Sequence, residues 1–168
     1  MSEEQPKLAD ATLKHCRRCG HDCSTNPQPV ATEEEIQEYI RTVLADRPYA
    51  KSYGMFGGQV KIGMSALTSK ESTHMAKILR EAGTSDTMDS MRIQLLYYLR
   101  TYRDTTYKAP IDIEDLEGVR EEFNNRFGQT SEDLVAVMVR TFTEFIRLLQ
   151  LLTESAFDAN FWKGAGLG

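Results

Sequence analysis

Between Ser131 and Leu152 the chain carries apolar residues at helical spacing: Leu134, Val135, Met138, Phe142, Phe145, Ile146, Leu149 and Leu152. They cover well over half of a helix's circumference, whereas a surface helix needs an apolar stripe only roughly 100° wide. A helix of this kind sits at the centre of a core or is shared with a partner chain. Ser131, just ahead of it, is a good N-cap. The same run does not read as a membrane span. Arg140, Glu144, Arg147 and Gln150 interrupt it, and a span needs about 20 predominantly apolar residues. Arg140, Glu144 and Arg147 are spaced to pair along one face, as a solvated stripe or as a subunit contact.

The rest of the sequence supplies elements to surround that helix. Thr32 followed three residues later by Glu35 is a capping box, and Glu33 and Glu34 favour the positive end of the helix dipole. Ile36, Tyr39, Ile40, Val43 and Leu44 form the stripe of this first helix, which Pro48 ends. Thr68 and Glu71 repeat the box ahead of Met75, Ile78, Leu79 and Ala82, with Gly83 as the stop. Ser85 or Asp86 opens a longer helix with Met88, Met91, Leu95, Tyr98, Leu99 and Tyr102 on one face. Asp112 caps a helix carrying Leu116, Val119 and Phe123 and closed by Gly128.

The clear β signal is the alternation of Val60, Ile62, Met64 and Ala66 with Gln59, Lys61, Gly63 and Ser65, which predicts a half-buried strand. Gly57-Gly58 reads as a plain turn and Tyr53 to Met55 as the partner strand. A lone hairpin is marginal in water, so it must pack on helices or join a sheet supplied by another chain. The expected fold is therefore mainly α with one β-hairpin, an α+β class. An N-terminal arm spans 1–31, a helical core 32–155 with the hairpin at about 51–66, and an aromatic tail 156–168. At 168 residues, 40% of them hydrophobic, the chain buries a real core without covalent staples.

The cysteines then call for another role. All 3 lie in one short stretch, His15-Cys16-Arg17-Arg18-Cys19-Gly20-His21-Asp22-Cys23. Disulfide frameworks spread their cysteines, whereas clustered thiols suggest a metal. Cys16-x-x-Cys19-Gly20 has the spacing of a zinc knuckle, because two thiolates three residues apart grip one ion where the chain turns tightly. Cys23 adds a third thiolate. His21 is the leading fourth ligand of this expected structural zinc site, followed by His15, and by His74 only if the arm docks on the core. Two readings stand beside zinc. One is free or oxidised thiols; the other is a redox pair whose thiol pKa Arg17 and Arg18 lower. Haem attachment fails because no histidine directly follows Cys19. Ser24 to Ala31, with Pro27 and Pro29, reads as a linker.

Other signals point away from catalysis and from nucleic acid. Gly57-Gly58 lacks the lysine-serine or lysine-threonine ending of a phosphate loop. Ser24, Ser65 and Ser131 sit in no nucleophile-elbow motif. His74 has no catalytic neighbour in sequence and reads as a core-edge or solvent-facing residue with Glu71 nearby. The chain is thus expected not to be an enzyme. Its net charge of −5 argues against nucleic acid as the main partner. Tyr97, Tyr98, Tyr102 and Tyr107 with Arg100 and Arg103 read as core and rim. Met1 to Asp10 is polar and acidic, without the apolar stretch of a signal peptide, so synthesis in the cytoplasm is expected. Phe157, Phe161 and Trp162 form the candidate partner-binding group. Large aromatics in a glycine-ended tail fold back onto their own core or insert into a neighbouring subunit.

The segment Phe56-Gly57-Gly58-Gln59-Val60-Lys61-Ile62-Gly63-Met64-Ser65-Ala66-Leu67-Thr68-Ser69-Lys70-Glu71 resembles small tail-assembly and baseplate-hub proteins of tailed bacteriophages. Those proteins show a short strand, a leucine-threonine-x-x-glutamate helix start and a helical body. A Cys-x-x-Cys-Gly knuckle at one end and an aromatic tail are compatible with the group. The cluster departs from a standard zinc ribbon in having three cysteines rather than two pairs. The resemblance implies a structural role without catalytic residues: a baseplate or tail-tip subunit, or a tail-assembly chaperone. Its partners would be other virion or tail-assembly subunits in an oligomeric assembly, first in the host cytoplasm and then in the virion. The alternative is a small zinc-binding regulatory or adaptor protein whose arm contacts a protein or DNA partner.

Overall fold

The computed structural model describes residues 31–83 and 85–158. Along these the chain forms α1 (Glu33–Leu44), β1 (Ala50–Met55), β2 (Val60–Ser65), α2 (Ser69–Ala82) and α3 (Thr87–Tyr98). Then come β3 (Leu99–Tyr102), β4 (Thr105–Thr106), α4 (Leu116–Phe127) and α5 (Glu132–Phe157). The fold is mostly helical with a small antiparallel sheet, an α+β arrangement. The expected zinc-knuckle module lies outside the described residues.

Both capping boxes form. The Thr32 hydroxyl accepts from the Glu35 amide at 3.2 Å, and the Thr32 amide donates back to the Glu35 carboxylate at 3.0 Å. Thr68 and Glu71 do the same at 3.3 and 2.9 Å. Each box satisfies donors that a helix start otherwise leaves orphaned. Gly83 stops α2 at φ 70°, a left-handed conformation that favours glycine. Ser131 caps α5 as expected.

The cap of α4 differs from the expectation. Asp115, not Asp112, accepts from the third helical amide, that of Gly118, at 2.7 Å. Asp112 falls inside a turn in which the Ile113 amide donates to the Pro110 carbonyl.

The larger difference concerns α3. The apolar spacing predicts one helix running to Tyr102, yet the helix ends at Tyr98 and Leu99 turns extended (φ −71°, ψ 126°). The chain passes directly into β3, which pairs antiparallel with β2. The four strands lie in the order β1-β2-β3-β4. The hairpin's partner therefore comes from its own chain, and β2 becomes a central strand. Ile62, Gly63, Met64 and Ser65 are all buried in place of the half-buried alternation expected. A Cβ on Gly63 would lie 2.4 Å from the Thr101 hydroxyl, so the close approach of β3 requires glycine there.

One face of the sheet rests on α5. Phe145 is fully buried, with ring centroids 6.4 Å from Tyr49, 6.4 Å from Tyr53 and 6.3 Å from Tyr98. The Tyr39 hydroxyl on α1 meets Thr153 on α5 at 3.0 Å. The long apolar helix is thus central. Val135, Met138, Val139, Phe142, Phe145 and Leu152 are buried, while Leu134, Val137, Ile146, Leu148, Leu149 and Leu151 are only partly covered. It runs on to Phe157, into what the sequence reads as tail.

Candidate interaction surface

Two turns meet at one end of the sheet. The first links β1 to β2 through Phe56, Gly57, Gly58 and Gln59, between the paired residues Met55 and Val60. The second links β3 to β4 through Arg103 and Asp104, between the paired residues Tyr102 and Thr105. Ile62 pairs with Tyr102, and the Arg103 amide donates to the Lys61 carbonyl at 2.8 Å, which brings the turns side by side. Both use left-handed backbone at a residue other than glycine: Phe56 at φ 50° and Arg103 at φ 54°. That conformation crowds a Cβ and is uncommon outside Gly, Asn and Asp. Phe56 is moreover 58% exposed, so its ring does not repay the strain by burial in its own core. Gly57 and Gly58 follow at φ 65° and 86°, and the Gly58 amide closes the turn on the Met55 carbonyl at 3.1 Å.

The strand leading to this tip has an open edge. The Ala66 amide donates to the Tyr49 carbonyl at 2.7 Å. Hydrogen bonding alternates along an antiparallel pair, so Lys51, Tyr53 and Met55 turn their backbone groups toward β2. Ala50, Ser52 and Gly54 then turn theirs outward, and all three are exposed. Among the described residues β1 pairs with β2 alone. An edge of this kind is a template for a further strand.

The polar groups behind α2 are fixed by burial. The Tyr97 side chain is fully buried and its hydroxyl lies 2.7 Å from Nδ1 of His74. Burial pushes that phenol up to about 12. Arg100 pairs with Glu71 at 2.8 Å and donates to the Tyr97 carbonyl. Burial lowers the Arg100 pKa, Glu71 opposes that shift and Arg126 adds to it. The Lys51 hydrogen bond holds the Glu35 carboxyl below its usual range, and the Thr32 amide assists.

The expected metal ligands Cys16, Cys19, His21 and Cys23, and the alternative His15, lie outside the described residues, as do Phe161 and Trp162. His74, the remaining alternative ligand, has its Nδ1 engaged by Tyr97. Among the described residues no group of three His, Cys, Asp or Glu stands close enough to hold a metal. Phe157 is the last residue of α5 and is 83% exposed. Val43 and Leu44 at the end of α1 are exposed too, at 54% and 81%. No described helix is long and apolar enough to cross a membrane. The tyrosines 97 and 102 are buried, and 98 and 107 are partly buried against the core. Sequence reasoning passed over Phe56, because a Gly-Gly pair explains a turn without it. The signal lay in the register: a four-residue loop from Met55 to Val60 puts the aromatic inside the turn rather than on the strand.

No family model matches this chain, and neither a curated protein nor a solved structure matches it.

Proposed function

We propose that the chain is a non-enzymatic assembly subunit of a phage tail, a baseplate or tail-tip component or a chaperone that helps build one, and that it associates with copies of itself. The observation that carries this reading is Phe56: a large aromatic held in strained backbone and displayed to solvent at the tip of a hairpin. Strain of this kind persists at sites of function, and exposed aromatics are the side chains that anchor interfaces. The open edge of β1 leads to that tip. Two such edges related by a two-fold axis through Ser52 would pair with one another, the isologous arrangement of most dimers. Phe157, followed in sequence by Phe161 and Trp162, would give a second anchor. The partly covered Ile146, Leu149 and Leu151 in the second half of α5 are consistent with it.

Zinc belongs to the same reading. The thiols of Cys16, Cys19 and Cys23 with the imidazole of His21 form a donor set suited to Zn²⁺. A nine-residue stretch has no core of its own, and structural zinc contributes about 10 kcal/mol or more in small peptides. The zinc would hold the arm in a shape that neighbouring subunits recognise, first in the host cytoplasm and then in the tail.

Native mass spectrometry of the full chain, with and without a chelator, tests both parts. The expected result is an oligomer with one zinc per chain, shifted toward monomer by Phe56→Ser. A metal-free monomer at all concentrations would overturn the proposal.

A further inference from the structure

The exposed side of α2 carries a row of cations that the assembly reading leaves without a role. Lys70, His74 and Lys77 follow one another at helical spacing, so they line one face, and Arg80 lies one turn on. With Ser69, Thr73 and Ile111 they line a recess of about 560 Å³.

Three of these groups are set in place. The Lys77 ammonium donates to the Glu114 carbonyl at 2.7 Å, and Nε of Arg80 donates to the Ala76 carbonyl at 3.2 Å. His74 is oriented by the Tyr97 hydroxyl at 2.7 Å. That phenol is buried, and its hydrogen needs an acceptor. The acceptor within reach is Nδ1 of His74, which leaves the imidazole proton on Nε2, the nitrogen on the opposite side of the ring. A protonated imidazole also carries hydrogen there.

Two of the acids near the recess already have partners, one of which is the recess's own Lys77. Glu71 caps α2 and pairs with Arg100. Glu81 accepts from the Leu116 amide, with one oxygen 3.9 Å from Lys77. Among the described residues Lys70 and the terminal nitrogens of Arg80 have no carboxylate partner. A protein of net charge −5 thus gathers three permanent cations and an imidazole on one helix face.

We propose that this recess binds a compact polyphosphate-type anion, with Lys70, Lys77 and Arg80 neutralising the charge and the His74 Nε2–H and the Thr73 hydroxyl donating to its oxygens. The lining favours the phosphoryl group itself over a nucleotide. Ile111 is its one apolar residue, and none of the lining side chains offers the broad aromatic face on which a base stacks. The fork of Arg80 matches two phosphate oxygens at once.

Calorimetric titration of the full chain with pyrophosphate, at low and at moderate salt, tests the site. Saturable one-to-one binding that weakens with added salt is expected. The double variant Lys70→Ala/Arg80→Ala should weaken it about tenfold or more, the loss expected when charge-assisted hydrogen bonds go. Both positions are exposed, and an unchanged circular-dichroism melt will show that the variant folds. Arg140→Ala on α5 should bind as the parent does. In ¹⁵N spectra the His74 Nε2 resonance should move on saturation, which a purely structural histidine would not show. ADP should bind no more tightly than pyrophosphate. Absence of binding at low salt, equal binding by the double variant, a motionless His74 resonance, or ADP binding tenfold more tightly would each overturn the proposal. None of these results depends on self-association, so the site and the assembly reading stand or fall separately.

Discussion

Replacing Phe56 by alanine and, separately, by glycine isolates the strain that marks the hairpin tip. Both changes remove the same ring, so whatever packing the partly exposed side chain makes is lost equally. They differ in backbone. At an ordinary turn position alanine is the more stable by about 0.4–1 kcal/mol, because glycine has more freedom to lose on folding. At φ 50° the order reverses. A Cβ in left-handed backbone costs roughly 1–2 kcal/mol, which exceeds glycine's entropic handicap. Phe56→Gly should therefore be more stable than Phe56→Ala by about 0.5–1 kcal/mol. With a urea m-value of about 2 kcal/mol/M, the denaturation midpoints should differ by about 0.25–0.5 M. Both variants should lose association to the same degree in sedimentation velocity, because the lost group is the ring. Alanine equal to or above glycine in stability would refute the strain argument. Association unchanged in both would refute the role given to the ring.

Phe145→Ala, at the centre of three tyrosine rings, should cost about 3–5 kcal/mol in urea denaturation, the usual range for a deleted buried aromatic. Gly63→Ala should destabilise by about 1–3 kcal/mol through its clash with Thr101, and Thr101→Ala should restore part of the loss; independent, additive effects in the double-mutant cycle would refute the contact. Glu71 both caps α2 and pairs with Arg100, so Glu71→Ala should cost more than Thr68→Ala, for which about 1 kcal/mol is expected; equal costs would show that the Arg100 pair adds nothing. Because the folded-state pKa of Glu35 is lowered, its contribution is present above its unfolded value near 4.5 and is lost as pH falls through the folded value. Acid titration of stability should accordingly be shallower in Lys51→Met below pH ~4.5 than in the parent.

Three helix starts were legible because capping is local. Thr32 with Glu35, Thr68 with Glu71 and the Ser131 hydroxyl each act within one turn of their own helix, and no distant residue changes that geometry. The burial of α5 was legible for a similar reason, since its apolar circumference is a property of one segment. The boundary between α3 and β3 was not. From Leu95 to Leu99 the chain is apolar or aromatic at every position, and all of these residues except Tyr98 end up buried. With no polar face, periodicity cannot say where a helix gives way to a strand. Thr101, Tyr102, Thr105 and Thr106 favour extended backbone, but that preference decides little until the free edge of β2 offers hydrogen bonds. Asp112 was read as the cap of α4, but the turn after Pro110 holds it outside the helix and leaves the capping to Asp115. The His74–Tyr97 pair joins two helices whose register no local pattern encodes, and it is what gives the row of cations on α2 an oriented imidazole. The exposure of Phe56 is of the same kind. A residue's identity and its neighbours in sequence set its local preferences, whereas strain, display and convergence are properties of segments brought together, and only the packed chain brings them together.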